Sequence, residues 1–541
     1  MIHSLSPSDA DPQGAGAPSP RVAHTGRGRP YSLSKLTLLL RLAASFVSIG
    51  GALAAPYKVE TIATPPGLSA EVGGVTFLPD GRLAACFHRG EIYLYDTTTK
   101  LWTLFADGLH DPLGLVALSN TELVVMQRPE LTRIRDTDGD GVADDFQTIT
   151  DDFGMSGNYH EFAFGPVLDR DGNFLIALNV ASNGAGIRSE VRGTLNPRST
   201  YEPANRMYSA VPWRGWVLKV TPEGKVTPFA SGFRSPNGLG LDAEGNLFVP
   251  DNQGDWVGTS PLYHVEAGKF YGHPASLAWK QGEPRKPLDI PLEELDAKRT
   301  RPTIFFPHNL LANSPTQPLL DTTGGKFGPF AGQMLIGEMN KARIIRVLLD
   351  KVDGQMQGAA IPFLDEGVLQ KGNNRMAFAP DGSLWVGQTD HGWAGDKGLQ
   401  RISWTGEVPL EVLSMKLTNR GFDLTFTRPL NAAIASEPVN WPTKRYNYDY
   451  HAAYGSKQHD LEEEEVITVH LSPDRTRVSL GYGDLTAWRI YELRLNKLQA
   501  EDGTPIANPL VCYTLNHLLK NTPPPPPPGR ERSTGRERGL E

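Results

Sequence analysis

The sequence predicts an all-β protein, a six-bladed β-propeller followed by a small β-sandwich domain of the immunoglobulin-like class. Six similar units of apolar strands and Asp-Gly-type turns recur between residues 57 and 404. Glycine and proline are abundant, with 56 and 44 residues, and both favour turn-rich β structure. The units show no helical periodicity, and repeats of this size that bury both faces are typical of propeller blades.

Each unit is a meander of short alternating strands joined by tight turns. The units begin near Val75, Leu113, Phe162, Asn237, Phe330 and Asn374. Turns such as PDGR, DRDGN and PDGS carry the Asp-Gly pair that hairpins prefer. An open array of β-sandwiches is the alternative, but six units of nearly equal size favour a closed ring over residues 56–404.

The Asp-Gly rhythm stops after Trp404, and residues 405–518 carry shorter alternating strands with charged segments between them. This pattern is typical of a separate β-sandwich of the immunoglobulin-like class. We expect the sandwich domain to pack against the propeller.

The two ends of the chain differ in composition from the middle. Residues 1–55 combine a disordered extension with an apolar run that follows Arg27, Arg29 and Lys35 and ends in a small-x-small pattern. We expect a signal peptide cleaved near Ala54 and a periplasmic or secreted protein. An uncleaved amphipathic anchor is the alternative, although Arg41 argues against a stable membrane span. Residues 519–541 are predicted to be a disordered, proline-rich tail.

Charge and cysteine content exclude several functions. The formal net charge is −8, which disfavours binding to nucleic acid or to an anionic membrane. Cys86 and Cys512 are the only cysteines, so a disulfide scaffold, a thiolate zinc module and a c-type haem site are excluded. Because the two cysteines fall in different predicted domains, we expect two separate thiols.

The segment DTDGDGVADD is the most specific local motif. Its carboxylates have the spacing with which a tight loop supplies several oxygen ligands to one Ca²⁺ ion. They belong to Asp136, Asp138, Asp140 and Asp144. We expect calcium to stiffen the loop between the second and third blades, and a solvated acidic turn is the alternative.

The residues just before five of the predicted inner strands are mostly polar. They are His110 and Asp111; Asn158, Tyr159, His160 and Glu161; Arg234, Ser235 and Asn237; Phe306, Pro307 and His308; and Lys371, Asn373, Asn374 and Arg375. A propeller binds ligands at the mouth of its central channel, which these positions line. Guanidinium, amide and imidazole groups there would suit an anionic or polyhydroxylated ligand and proton transfer.

A further cluster of polar side chains lies where the second strand of the fourth unit ends. Asp251, Asn252, Gln253 and Asp255 follow that strand within five residues. They could hold a metal ion through side chains and carbonyl groups. A hydrogen-bonded loop with Trp256 as a packing residue is an equal alternative.

The fourth unit, GFRSPNGLGLDAEGNLFVPDNQGDW with the later AGKFYGHP, resembles soluble sugar dehydrogenases that use pyrroloquinoline quinone. These are six-bladed propellers of the glucose/sorbosone dehydrogenase type. KGNNRMAFAPDG resembles their last blade. Over residues 57–517 the chain is most similar to secreted members of this kind from planctomycetes and verrucomicrobia, through NYHEFAFGPVLDRDGN, PWRGW and TTGGKFGPFAGQ.

The resemblance implies roles for residues of the fourth unit. Arg234 matches an arginine near cofactor and substrate, and Asn237 occupies a cofactor-binding glutamine position. Gln253 and Gly254 match the loop whose carbonyl groups hold the calcium ion.

The resemblance also implies roles for residues of other units. Arg375 matches the first of two arginines that bind the cofactor carboxylates, and the second position is Ala377. Lys326 is the candidate for the cofactor-binding lysine. His160 is the nearest match to the catalytic histidine.

The resulting hypothesis is oxidation of a sugar or polyol by pyrroloquinoline quinone and Ca²⁺ at the channel mouth. His160 would be the general base, and Ca²⁺ near Gln253 and Gly254 would polarise the quinone. Because the chain has no haem motif, electrons would leave to an external acceptor such as a cytochrome. A calcium-dependent lactonase or hydrolase, with an Asp/Glu/Asn cluster at the ring centre, and a non-enzymatic glycan- or protein-binding propeller stay open.

Overall fold

The computed structural model describes residues 55–182, 186–189, 191–196, 207–282, 286–364, 367–391 and 395–522. These residues belong to one compact unit. The predicted signal peptide, its cleavage position near Ala54 and the tail beyond residue 522 lie outside the described residues. Within the described ranges, the helices are all too short or too polar to cross a membrane.

The chain is mostly β, and several four-stranded antiparallel sheets resemble propeller blades, as predicted. The first sheet contains β2 (Val72–Phe77), β3 (Leu83–Phe87), β4 (Ile92–Asp96) and β5 (Leu101–Ala106). The second contains β6 (Leu115–Ala117), β7 (Glu122–Met126), β8 (Leu131–Arg135) and β9 (Asp145–Thr150). In each, strands adjacent in sequence pair directly, as short turns require.

The third and fourth sheets have the same order with longer insertions. The third contains β10 (Ala163–Leu168), β11 (Phe174–Leu178), β14 (Trp216–Val220) and β15 (Val226–Ser231). Its insertion carries the short pair β12 (Ala181–Ser182) and β13 (Met207–Tyr208). The fourth contains β16 (Gly240–Leu241), β17 (Leu247–Pro250), β18 (Pro261–Val265) and β19 (Ile304–Phe305), with helix α1 (Leu292–Lys298) before β19.

The N-terminal strand completes the last blade-like sheet. This sheet contains β24 (Asn373–Phe378), β25 (Leu384–Gln388), β26 (Gly398–Trp404) and β1 (Tyr57–Ile62). Tyr57 pairs with Trp404, and Ile62 pairs with Leu399. The two ends of the repeat region are therefore joined by one ladder of hydrogen bonds.

The fifth sheet continues into the C-terminal region. It runs through β20 (Pro315–Leu320), β21 (Met334–Glu338), β22 (Ile344–Val352) and β23 (Gln355–Phe363), and then β34 (Leu510–Leu515), β33 (Arg489–Arg494), β29 (Thr443–Tyr448) and β30 (Gln458–Glu464). The sequence predicted a separate sandwich, but β22 and β23 have nine residues each. They are long enough for β23 to pair with β34 at Gly358–Ala360.

A second sheet completes the C-terminal sandwich. It contains β27 (Val412–Leu417), β28 (Gly421–Phe426), β32 (Arg477–Tyr482) and β31 (Val466–Leu471), and helix α2 (Ala432–Ala435) follows β28. Phe422 of this sheet packs on Tyr491 and Tyr513 of the eight-stranded sheet. Burying such aromatic faces between two sheets is the usual core of a sandwich.

The first strands of the blade-like sheets lie side by side. β2 contacts β24 and β6, β6 contacts β10, and β20 contacts β16 and β24. At Gly114 a Cβ atom would lie 2.0 Å from the carbonyl oxygen of Gly165, so only glycine permits this approach. Cys86 and Cys512, on β3 and β34, are both buried free thiols, as predicted.

Candidate functional site

The candidate site lies at one edge of the blade-like sheets. In an antiparallel sheet the start of the first strand and the end of the second strand lie at the same edge. Several residues that follow second strands line a cavity there. They are His88, Asn179, Asn252, Met339, Asn340, Thr389 and His391. Positions before first strands, the basis of the predicted mouth, do not include most of this set. The same offset rule applied to second strands would find it.

The cavity has a volume of about 310 Å³. Its lining is polar but nearly uncharged. Amides come from Asn179, Asn237, Asn252, Gln253, Asn313, Asn340 and Asn374, and imidazoles come from His88, His160, His308 and His391. Aromatic rings come from Tyr159, Phe162, Phe164 and Tyr454. Among the described residues, Arg234 is the only Lys, Arg, Asp or Glu in the lining.

The structure brings four of the predicted site residues into this cavity. His160, Arg234, Asn237 and Gln253 all line it. Their convergence from the third and fourth sheets agrees with the predicted mouth, although their individual roles stay predictions.

Arg234 is held by two buried carboxylates. Asp251 accepts hydrogen bonds from the backbone N–H groups of Arg234 and Ser235, both at 2.7 Å. Asp255 accepts one from Nε of Arg234 at 2.8 Å. At Gly254 a Cβ atom would lie 2.0 Å from that Nε, so glycine is needed for the guanidinium group to lie there. The ion pair uses Nε, which leaves the terminal guanidinium nitrogens for a ligand.

The loop predicted to hold calcium beside Arg234 is already hydrogen-bonded. The carbonyl oxygen of Gly254 accepts a hydrogen bond from the N–H of Gly455 at 2.9 Å. The side-chain amide of Gln253 donates to the carbonyl oxygen of Gly258 at 3.0 Å. The contact with Gly455 connects the loop to the C-terminal region, and the contact with Gly258 lies within the loop itself.

Arg375 lies beneath the cavity and does not line it. Its guanidinium group donates to the carbonyl oxygens of Leu113 and Asn374 and to Oδ1 of Asn237. It lies 4.9 Å from the ring centre of Phe164, which forms part of the cavity wall. Burial lowers the pKa of Arg375 to about 9. The N–H donors of Arg375 are therefore hydrogen-bonded within the protein.

Lys326 is also outside the cavity lining. Its Nζ donates to the carbonyl oxygen of Pro380 at 3.1 Å in an exposed position. The position of Lys326 could not be predicted closely from the sequence, because this residue lies in the loop between β20 and β21. It does not adjoin a strand end near the cavity.

A carboxylate–imidazole network forms one wall of the cavity. Nδ1 of His88 lies 2.8 Å from Oδ1 of Asp111, and Arg128 donates to Oδ2 of Asp111 at 2.7 Å. Asp111 has a backbone φ of 53°, a strained conformation of the kind found at functional sites. Nε2 of His88 is buried and has no hydrogen-bond partner. In the His88–Asp111 pair the imidazole ring is thus oriented, and one of its ring nitrogens has no hydrogen-bond partner.

His391 stacks on His88 and extends the network toward solvent. The two rings lie 4.1 Å apart and 23° from parallel. His391 contacts Glu71 through Nδ1 at 3.2 Å and Asp111 through Nε2 at 3.5 Å. Burial lowers the pKa of His88, whereas the hydrogen bond to Asp111, followed by that to Glu71, raises the pKa of His391.

Donor atoms of His88, Asp111 and His391 lie within 4.8 Å of one another, close enough for a metal site. Imidazole lone pairs lie in the ring plane, so stacked rings direct them side by side and not toward one ion. This geometry favours hydrogen bonding, and the pKa values of the two stacked imidazoles are shifted in opposite directions. Environments that separate two pKa values in this way are typical of acid–base pairs.

His160 is a third imidazole in the cavity wall. Burial, with a smaller effect from Arg234, lowers the pKa of His160 to about 4. Its Nδ1 is buried without a hydrogen-bond partner. It differs from His88 in that none of its recorded hydrogen bonds or ion pairs joins its ring to a carboxylate.

The predicted calcium loop lies away from the cavity wall. It connects β8 to β9, the outer strands of the second sheet, and not the second and third blades as predicted. Carboxylate oxygens of Asp136, Asp138 and Asp140 lie within 4.8 Å of one another. Asp144 is not in this group, and its carboxylate accepts hydrogen bonds from the N–H and hydroxyl of Thr137.

The cavity residues do not fit pyrroloquinoline quinone in the way that the resemblance implies. A tricarboxylate needs several cationic donors, but Arg375 is committed beneath the cavity and Lys326 is outside it. Arg234 remains, and it is already paired with Asp255. An uncharged ligand matches the lining better.

Comparisons with known proteins give a low-identity likeness to sugar dehydrogenases. A family model described as a domain of unknown function, DUF7133, matches residues 95–266. No curated protein matches the chain. The chain is structurally similar to the pyrroloquinoline-quinone-bound aldose sugar dehydrogenase of Streptomyces coelicolor, with 17% identity, 64% of this chain and 99% of that chain covered, and a TM-score of 0.42.

Two other solved structures show the same level of similarity. The pyranose dehydrogenase domain of Coprinopsis cinerea has 13% identity, 65% and 96% coverage and a TM-score of 0.45. A luciferin-regenerating enzyme has 13% identity, 67% and 100% coverage and a TM-score of 0.41. With such identities and TM-scores below 0.5, the activity has to be argued from the residues of this chain.

Proposed function

We propose that residues 55–404 close into a six-bladed propeller whose central cavity binds a neutral, carbohydrate-type substrate. The lining carries this proposal, because amide groups match hydroxyl groups as both donors and acceptors. Aromatic walls match the apolar faces of a sugar ring. The cavity volume of about 310 Å³ lies at the lower end of small-molecule sites.

The acid–base chemistry of the cavity centres on His88. We assign it the role of general base, because Asp111 orients its ring and its lowered pKa keeps it neutral near pH 7. The raised pKa of His391 favours its positively charged form beside His88. The Arg234 guanidinium can stabilise an oxyanion. This set suits hydrolysis of a sugar lactone.

The reaction then needs only water as co-reactant. As the water oxygen attacks the lactone carbonyl carbon, its proton passes to Nε2 of His88. Negative charge on the carbonyl oxygen is stabilised by Arg234. The bond from the carbonyl carbon to the ring oxygen breaks, and His88 returns the proton to that oxygen, which gives the hydroxy acid. His160, the base that the resemblance implies, would bind a substrate hydroxyl in this scheme.

Oxidation of a sugar or polyol with pyrroloquinoline quinone, Ca²⁺ and an external acceptor such as a cytochrome is the second candidate. The joint placement of His160, Arg234, Asn237 and Gln253 in one cavity favours it, and the missing cations weigh against it. We also propose that the protein works in the periplasm or outside the cell, on the basis of the apolar N-terminal run.

The test is a side-by-side assay of the purified chain on aldonolactones and on free sugars. We expect lactone hydrolysis that falls by about 10²- to 10⁴-fold in His88→Ala. His308→Ala is the matched control, since His308 also lines the cavity but has no carboxylate partner among its recorded contacts, and we expect less than about a tenfold loss there.

Two outcomes would contradict the proposal. Dye reduction by a sugar only after addition of pyrroloquinoline quinone and Ca²⁺, without lactone hydrolysis, would establish the second candidate. Sugar binding without either reaction would establish a non-enzymatic binding propeller.

A further inference from the structure

A loop of the C-terminal region, residues 449–456, reaches the mouth of the cavity. It is fixed to the fourth sheet by backbone hydrogen bonds, from Trp256 N–H to the His451 carbonyl at 3.1 Å and from Ser456 N–H to the Gly258 carbonyl at 2.8 Å. Tyr450 also packs on Trp256, with ring centres 5.3 Å apart. The loop is therefore a firm part of the mouth.

This loop presents the ring of Tyr454 to the cavity. Tyr454 lines the cavity, yet 64% of its surface is exposed. Its backbone forms a bridge with Asp255, the partner of Arg234. The Arg234 guanidinium lies 5.5 Å from the ring centre of Tyr454. The ring of Tyr454 thus lies beside the positively charged Arg234 side chain and is exposed to solvent.

We propose that Tyr454 stacks on a second sugar ring, so that the preferred substrate is a disaccharide or longer saccharide derivative and not a monosaccharide. This inference rests on the proposed function and refines its substrate class. The cavity holds the reacting sugar unit, and the next unit leaves through the mouth over Tyr454. The C-terminal region would then determine specificity for a reaction whose base lies in the repeat region.

The physical reasons for such a role are general. A sugar ring has an apolar face of C–H groups that packs against an aromatic ring. Tyrosine loses little conformational entropy on binding, because it has only two side-chain torsions. A ring that is already held in place by its backbone and by Arg234 loses even less.

The test measures binding of monosaccharides and disaccharides to the full chain by titration calorimetry. The probes are glucose, mannose, galactose and xylose, each with its α- and β-linked disaccharides. We expect a disaccharide to bind more tightly than its monosaccharide. In Tyr454→Ala the disaccharide affinity should fall about three- to tenfold, with the monosaccharide affinity unchanged, and Tyr454→Trp should retain it.

Lys457→Ala is the matched control, because Lys457 is an exposed residue directly after this loop and outside the cavity lining. Thermal unfolding of each variant checks that the fold is kept. Monosaccharide binding with no disaccharide preference, or an equal loss for both classes in Tyr454→Ala, would overturn the inference and leave the proposed function standing. Failure of every sugar to bind would overturn both.

Discussion

Arg234 and Arg375 lie in two regions beside the same cavity, and the two regions differ in what they can do. Arg234 lies in the cavity wall, paired with the Asp255 carboxylate at 2.8 Å. Arg375 lies below it, and its recorded partners are carbonyl and amide oxygens. Both side chains are almost fully buried, at 7% and 4% exposure. The Arg234 side chain is available to a ligand, whereas the Arg375 guanidinium group is hydrogen-bonded within the protein.

The two arginines differ because they lie at different positions relative to the first strand of their sheets. Arg234 precedes β16, whereas Arg375 is the third residue of β24. Arg234, before its strand, reaches the cavity wall, whereas Arg375, within its strand, contacts Leu113 and Asn237. The different offsets of the two arginines from their first strands therefore give them different surroundings.

Matched Arg→Lys substitutions test whether the two arginines differ in this way. Lysine has no planar fork, so Arg375→Lys should leave buried acceptors unpaired and lower the free energy of unfolding by about 1–3 kcal/mol, with kcat/KM little changed. Arg234→Lys keeps a charge beside Asp255, so stability should change less. Its kcat/KM should fall roughly 10²-fold through the loss of an oxyanion donor. Denaturant unfolding and kinetics measure both, and the reverse pattern would contradict the assignment of the two regions.

The blade-like sheets could be predicted because their cause is local. Alternating apolar residues and Asp-Gly turns fix each hairpin, as in the Leu83 pairing with Phe77 across the turn at Gly81. The sheet shared by β23 and β34 could not be predicted in this way. Its pairing joins Gly358 to Thr514, residues too distant in sequence for a turn signal to connect.

The candidate site was predictable in part for the same reason. His160 and Arg234 precede first strands, so an offset rule placed them at the mouth. The Asp111–His88 contact depends on two neighbouring sheets, and no spacing in the sequence encodes it. The position of Tyr454 at the cavity depends on where the C-terminal region packs. That packing is decided by contacts between residues far apart in the sequence.

The pH profile tests whether the mouth holds a neutral and a charged imidazole together. His88 must be neutral, so its lowered pKa should keep kcat/KM high below the ordinary imidazole value of 6.5. His391 must be charged, so its raised pKa should extend activity above that value. We expect a broad bell-shaped profile, whose limbs belong to the coupled pair.

Glu71→Gln separates the two limbs. It removes a carboxylate that faces His391 and Lys397, while Asp111 and Arg128 stay in place. The alkaline limb should move to lower pH, since His391 loses part of its stabilisation as a cation. The acid limb should move less, because Glu71 has only a small effect on the pKa of His88. A shift of the acid limb alone would show that the base is a different group.

The outer loop at Asp136 should show the smallest effect, because it lies between β8 and β9 and not in the cavity wall. Exposed loops of this kind bind Ca²⁺ with Kd near 10⁻⁴ M at the tighter end. About 1 mM Ca²⁺ would then stabilise the fold by roughly 1 kcal/mol, seen as a small rise in Tm with kcat/KM unchanged. Asp138→Asn should abolish the rise. Asp144→Asn should keep it, because Asp144 binds Thr137 and not the other three carboxylates. If Asp144→Asn also abolished the rise, the fourth carboxylate would belong to the site as its spacing in the sequence suggests, and the loop would have to rearrange around the ion.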